Sequence, residues 1–297
     1  MPALIDLRKR IKSVRNTQQI TQAMKTVSTV KFQKAQRIVL ESRPMWHDFP
    51  DLVSSAALWA PSTAHPLLSR REEKKVVGLV ITSDKGLAGA FNANLLEKAS
   101  SFFAEKARTS EVQLILVGKK AVDFFKKSAY RVLRSYFGQV HKTTAEDCRT
   151  LARYLTDLYT LNKTDTIYVA YNEFKSILAP RVVITKLLPV EFSGEDQRSE
   201  DTGGDTSPSG QRPDWDPSAL MLVQTLLLHH VENQMVHFFF ESQAAEHAAR
   251  MMAMDNATKN AEELIEDLTL VLNKIRQASI TKELLEIMSA VEALAKK

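Results

Sequence analysis

The feature that most constrains this chain is what its last stretch lacks. From Ser218 to Lys297 there is neither glycine nor proline, and the same is true of Ala3 to Arg43. Segments without these two residues have nothing to break a helix, and both carry helical periodicity. In the C-terminal segment Met251, Met254, Ala261, Ile265, Leu268, Leu272 and Ile275 recur at alternating steps of three and four, with Thr258 filling the gap. That alternation is a coiled-coil seam rather than the broader apolar face of a globular helix. Met251, Met252 and Met254 are therefore read as seam residues rather than as a ligand surface.

In the N-terminal segment Leu4, Leu7, Ile11 and Val14 form a stripe. After a slip, Ile20, Met24 and Val27 are expected to resume it. At 1.5 Å per residue the first helix would be about 60 Å long, and an unbroken last helix on the order of 120 Å. A domain the size of the intervening chain cannot cover such stripes, so the two helices are expected to pair. The block that connects them makes an antiparallel pair the natural geometry.

That intervening block, from about Lys75 to Ser193, has a different rhythm. VVGLVIT (76–82), VQLILVG (112–118), YRVLRSY (130–136), TIYVAYNEF (166–174) and RVVITKLLPV (181–190) read as strands. NANLLEKASSFFAEKA, KKAVDFFKKS and AEDCRTLARYLTDLYTL read as helices between them. The alternation predicts a Rossmann-like α/β layer with a partly parallel sheet. The expected organisation is an N-terminal long helix and the start of a linker over 1–60, an α/β domain over 75–193, a polar mobile loop over 194–214, and a C-terminal long helix over 215–297. Pro44, Pro50, Pro61 and Pro66 are expected to mark the linker.

Charge and composition narrow the function classes. The net charge is +5, with 44% hydrophobic and 25% charged residues. The first helix concentrates the excess: Arg8, Lys9, Arg10, Lys12, Arg15, Lys25, Lys31, Lys34, Arg37 and Arg43 stand against Asp6 and Glu41. Such an imbalance favours an acidic partner over a merely solvated face. A nucleic-acid ligand is the alternative, but no reader motif accompanies the charge. MPALIDLRKRIKSVR places charges where a secretory signal needs an apolar core. The most apolar window, ALMLVQTLLLHHVENQMVHFFF, is interrupted by His229, His230, Glu232, Asn233 and Gln234, so no spanning helix is expected. Association with a membrane would then go through partners.

No catalytic constellation stands out. ITSDKGLAGAFN (81–92) has the look of a phosphate loop, yet it matches neither a Walker A nor a GxGxxG pattern. It is read as a turn capped by Asn92. Ser83 and Asp84 imply no oriented histidine. The histidines, among them His47, His65 and His141, are not at metal-ligand spacings. Cys148 is the one cysteine and is read as a partly buried helix residue, so no intramolecular disulfide is possible. No cofactor or metal is expected.

Three stretches resemble the γ subunit of bacterial-type F-type ATP synthase: IKSVRNTQQITQAMKTVSTVKFQKAQ (11–36), ITSDKGLAGAFN (81–92), and ESQAAEHAARMMAMDNATKNAEELIEDLTLVLNKIRQASIT (241–281). The second usually has Arg where this chain has Lys85 and Cys where it has Ala88. The resemblance implies a non-catalytic rotor: an antiparallel coiled-coil shaft inside a hexamer of α and β subunits, and an α/β foot with subunit ε on the c-ring. It implies a place on the cytoplasmic face of the bacterial inner membrane. It also implies roles for particular residues. Met24 and Lys25 align with the contact between shaft and β loops, and Arg276, Gln277 and Thr281 with the upper contact between shaft and hexamer. Asp216 aligns with an acidic residue near the c-ring. The 194–214 loop lacks the cysteines of plastid forms, so their dithiol switch should be absent.

Overall fold

The computed structural model describes residues 2–58, 65–138, 143–176, 181–191 and 219–295. Asp216 and the 194–214 loop lie outside these residues. The chain divides into two compact units, one made of Met1–Thr29 with Arg250–Lys297 and the other of Val30–Ala249.

In the second unit, five strands alternate with helices in the expected order. They are β1 (Lys75–Ile81), β2 (Glu111–Val117), β3 (Arg131–Tyr136), β4 (Thr166–Glu173) and β5 (Arg181–Leu188). Between them lie α2 (Phe91–Lys106), α3 (Lys119–Phe125) and α4 (Ala145–Thr160). The sheet order is β3-β2-β1-β4-β5. The first four strands are parallel and β5 pairs antiparallel with β4.

Alternation along the strands sorts side chains to two faces. Val76 and Val80 meet Leu95, Ala99 and Phe103 of α2 and Ala121 and Phe125 of α3. Val77, Leu79 and Ile81 meet Leu151, Leu155 and Tyr159 of α4 on the other face. Gly78 is what lets α2 lie so close: a Cβ there would come 2.3 Å from Cζ of Phe103. The N-terminus of α4 is closed by a capping box between Thr144 and Asp147. The backbone and hydroxyl hydrogen bonds from Thr144 hold the Asp147 carboxyl below its usual range.

Two long helices frame this sequence of elements, α1 (Pro2–Leu58) and α5 (Ala219–Ala295). The expectation that Pro44 begins a linker is not met, because α1 runs through Pro44 and Pro50 to Leu58. A proline withholds its own N–H, here from the carbonyls of Leu40 and Trp46, and its ring crowds those carbonyls, which weakens the helix locally. The remainder of the ladder can continue. In the second unit α5 completes the sheet face that α4 covers, burying Leu227, Val231, Met235, Phe238 and Phe239.

In the first unit the opening of α1 and the latter part of α5 run antiparallel. The Thr21 and Thr258 hydroxyls are 2.8 Å apart, and Lys25 Nζ lies 2.6 Å from Asp255 Oδ1. As the numbering rises on one helix it falls on the other. The seam of α5 follows the predicted stripe, with Met254, Ala261 and Leu268 buried and Met251, Thr258, Ile265, Leu272 and Ile275 half-buried.

The seam of α1 departs from the expected one. There is no slip. Its buried or half-buried positions include Leu4, Leu7, Ile11, Val14, Gln18, Thr21, Met24, Lys25 and Ser28, at steps of three and four, so Met24 holds the place expected of it. Ile20 and Val27 are 60% and 55% exposed. The heptad continues through polar residues because they find partners there. Thr21 bonds to Thr258, and the Ser28 hydroxyl donates to the Met24 carbonyl at 2.7 Å. A hydrogen-bonded hydroxyl can be buried at little cost.

Candidate interaction surfaces

Three places carry the motifs that the sequence singles out. The first is the polar step in the helix pair. Met24 and Lys25 both sit half-buried on α1. Lys25 does not project freely outward, because it pairs with Asp255, which also holds Lys259 at 2.9 Å. These two ammonium groups hold the Asp255 carboxyl below its usual range. The basic excess of α1 remains an outer feature, with Arg8, Lys9, Arg10, Lys12 and Arg15 all exposed. Asp255 is a residue that the periodicity missed. Its signal was present: an acid one position past the seam residue Met254, on the helix facing a basic one.

The second place is the end of α5. The paired stripes run out at Leu4, near the start of α1, and at Ile275. Residues 280–289 are exposed throughout. Ile280, Leu284, Leu285, Ile287 and Met288 are each more than half exposed. Arg276 and Gln277 are exposed at the root of this stretch, and Thr281 donates its hydroxyl to the Gln277 carbonyl at 3.0 Å. That bond uses the hydroxyl's one proton and leaves its lone pairs available. The structure thus places Met24 and Lys25 on the helix pair and Arg276, Gln277 and Thr281 on the stretch of α5 past it. The two groups do not form one cluster. So large an exposed apolar face on a single helix marks a surface made to be covered.

The third place is the turn from Thr82 to Asn92, which joins β1 to α2. Thr82 is buried, donating its hydroxyl to the Val117 carbonyl and accepting from the Ala121 N–H, both at 2.9 Å. The close approach requires Gly118, which has φ +93°, because a Cβ there would lie 2.3 Å from the Thr82 carbonyl oxygen. Asn92 does bond back into the turn, accepting from the Ser83 N–H at 3.1 Å. One Asp84 oxygen accepts from the Lys119 and Gly138 N–H groups at 3.0 and 2.9 Å.

This turn lies at the switch point of the sheet, where β1 has β2 on one side and β4 on the other. In open α/β sheets that crevice is the usual ligand position. Here apolar side chains cover one side of the turn, and the other side lines an open cavity with Gly86, Gly89, Asn92, Lys120 and Phe124. Ala88 and Phe91 from the turn and Phe174 from the end of β4 pack with Phe32, Ala35 and Val39 of α1 and Ala244, Ala245 and Ala248 of α5. Asp84, Phe174 and Glu241 also belong among residues that the sequence reading did not single out for a role of this kind. Glu241 was legible only as an acid directly after the run FFF.

Cys148 is buried in α4, and burial pushes its thiol up to about 12. Among the described residues no helix is long and apolar enough to cross a membrane.

The comparisons agree with this arrangement. The sequence profile of a family described as ATP synthase matches residues 3–294. The ATP synthase gamma chain of Pelotomaculum thermopropionicum is 40% identical over 297 residues, covering 99% of this chain and 100% of that protein. The ATP synthase gamma chain of Anaeromyxobacter sp. (strain K) is 42% identical over 299 residues with the same coverage. A chain in a cryo-EM structure of the Euglena gracilis mitochondrial ATP synthase, comprising OSCP, F1 and c-ring, superposes with a TM-score of 0.68. That match is 20% identical and covers 99% of this chain and 95% of the other. A chain in the rotor of the same organism's enzyme gives 0.63 at 18% identity, covering 94% and 99%. With an antiparallel pair of terminal helices, a Rossmann-like five-stranded sheet between them, and full-length identity at this level, the chain belongs to the ATP synthase gamma chain family.

Proposed function

We propose that this chain is the central shaft of an ATP synthase and has no active site of its own. The observation that carries the reading is the end of α5. It is a helix that has outrun its partner and exposes Ile280, Leu284, Leu285, Ile287 and Met288. Such a surface fits a close apolar sleeve, and the sleeve offered by the family is the hexamer of α and β subunits.

In this reading residues 1–60 and 215–297 supply the shaft and 75–193 the foot. The foot rests with subunit ε on the c-ring, and the chain reaches the membrane only through these partners. In a bacterium that places it on the cytoplasmic face of the inner membrane. Ion flow turns the ring, the shaft turns with it, and its unequal faces take each β site through successive nucleotide affinities. Arg276, Gln277 and Thr281 meet the upper part of the hexamer, Met24 and the exposed basic side of α1 meet acidic loops of β, and Asp216 lies near the c-ring.

Lys25 contributes to that contact mainly through its neighbours. Its pairing with Asp255 fixes the register of the two helices, and so the angular position of the basic side chains around it. Affinity purification of a tagged chain from its own membranes tests the reading. The expected result is co-purification of α, β, ε and c subunits in an ATP-hydrolysing assembly. A chain recovered without α and β subunits, or bound to nucleic acid instead, overturns it.

A further inference from the structure

We propose that the turn Thr82–Asn92, with Glu241 of α5, is the joint through which turning force passes between the α/β sheet and the two long helices. Glu241 and Asp84 are its positioning residues. The inference rests on the shaft reading above and adds to it where the sheet grips the shaft.

Force can pass between a sheet and a helix only through contacts that resist displacement. Interdigitated apolar packing resists displacement and transmits strain, and directed hydrogen bonds in a buried setting fix its register. The turn combines the two. On its sheet side it is fixed at three consecutive residues. Thr82 is tied to Val117 and Ala121, Ser83 to Asn92 and to the Lys120 N–H, and Asp84 to Lys119 and Gly138. These bonds link the ends of β1, β2 and β3 and the start of α3 into one piece.

On its helix side the same turn projects Ala88 and Phe91, 2% and 3% exposed, into the cluster with α1 and α5. Leu87 and Gly89, with φ of 62° and 55°, turn the backbone on either side of Ala88. A residue as small as alanine at this position lets the turn approach helix residues that are themselves Ala35, Ala244, Ala245 and Ala248.

A second tie closes the loop from β4. The Phe174 N–H donates to Glu241 Oε2 at 2.7 Å, and the Phe174 ring meets Phe32 edge to face at 5.3 Å between centroids. Glu241 is 3% exposed. A carboxylate is an expensive group to bury, and its charge-assisted bond to a backbone N–H is correspondingly strong. The end of β4 is thereby held to α5 by a hydrogen bond and to α1 by a ring contact, while Asn172 donates to the Phe91 carbonyl at 3.4 Å. Sheet, turn and α5 are thus joined by hydrogen bonds and packing, and α1 by ring and apolar contacts.

The test uses the assembled ATP synthase in membrane vesicles. It reads the ratio of ATP-driven ion pumping to ATP hydrolysis per assembled complex. Glu241→Leu removes the acceptor for Phe174 at similar size, and Glu241→Gln keeps one. The expected result is a several-fold fall in the ratio for Glu241→Leu, with Glu241→Gln close to the parent. A merely structural role predicts less assembled complex but an unchanged ratio in what assembles, and that outcome overturns the proposal. An equal fall in both variants overturns the role given to the hydrogen bond. Should Glu241→Leu fail to assemble, Asp84→Ala, which removes the bonds to Lys119 and Gly138 from a partly exposed site, is read in the same way. A normal ratio there overturns the proposal. Failure of the shaft reading itself is distinct, since the parent chain would then not co-purify with the complex.

Discussion

Two stretches of α5 invert the usual relation between polarity and burial. Between Leu227 and Ala248 the helix buries Glu232, Glu241 and Glu246 together with its aromatics. Between Ile280 and Val291 it exposes one aliphatic after another. The rule that apolar residues lie inside works in one direction only, so the informative residues are the buried acids and the contiguous exposed aliphatics. Each buried acid has something to hold. Glu232 takes Arg153 of α4 at 2.7 Å, and Glu241 takes the Phe174 N–H. In the proposed function the exposed aliphatics are covered by the hexamer, so one stretch is finished by its own fold and the other by assembly.

That contrast can be broken experimentally. Removing Phe91, which is buried within the cluster that joins the turn to both helices, should cost about 3–5 kcal/mol in Phe91→Ala. Urea unfolding of the purified chain reads it, and a loss within error of zero would mean that the finished stretch is not tightly packed. Arg153→Ala leaves Glu232 buried without its main partner. Because Arg153 is itself 56% exposed, part of its charge is already screened, and the expected loss is smaller than for Phe91→Ala. Glu232→Gln in the Arg153→Ala background should recover stability, since the unpaired charge is then gone.

Acid should act on the finished stretch more than on the exposed one. Burial lowers the pKa of His230 from 6.5 to about 4. The unfolded chain therefore takes up a proton that the folded chain refuses between those values. The contribution is present above pH 6.5 and is lost as pH falls towards 4. His230→Asn should flatten the slope of unfolding free energy across that window. A slope unchanged from the parent would sink the assignment.

The smallest effect on the chain alone is expected at the exposed end. Leu284→Ser with Leu285→Ser should change the stability of the free chain by no more than about 0.5 kcal/mol. The same pair should lower recovery of assembled complex in the affinity purification described above. Full assembly with both serines would show that this end is not gripped.

Much of the fold was legible in the sequence. All five strands and the helices between them lie where alternation and helical spacing place them, because β-branched runs such as VVGLVIT and TIYVAYNEF have few other ways to bury both faces. The seam of α5 was legible for the same reason. The seam of α1 was not. Ile20 and Val27 looked like seam residues on apolarity, while Thr21 and Ser28 hold those places through hydroxyl bonds that a hydropathy pattern cannot register. Pro44 and Pro50 misled in the opposite sense, since a proline weakens a helix locally without being obliged to end it. In the candidate surfaces, positions were legible and partners were not. Lys25 was singled out as an outward contact, and only the fold shows it bound to Asp255. Glu241 needed the end of β4 beside it before it meant anything.

The solitary end of α5 has a consequence for the life of the chain before assembly. A helix segment with no neighbour relies on local terms, such as the ion pair of Lys282 with Glu286 at 3.8 Å, and short unsupported helices are marginal in water. Its amide ladder opens readily, and a protease cuts the open form. Limited proteolysis of the free chain should therefore cut first in this end, and the proposed hexamer contact should slow that cut.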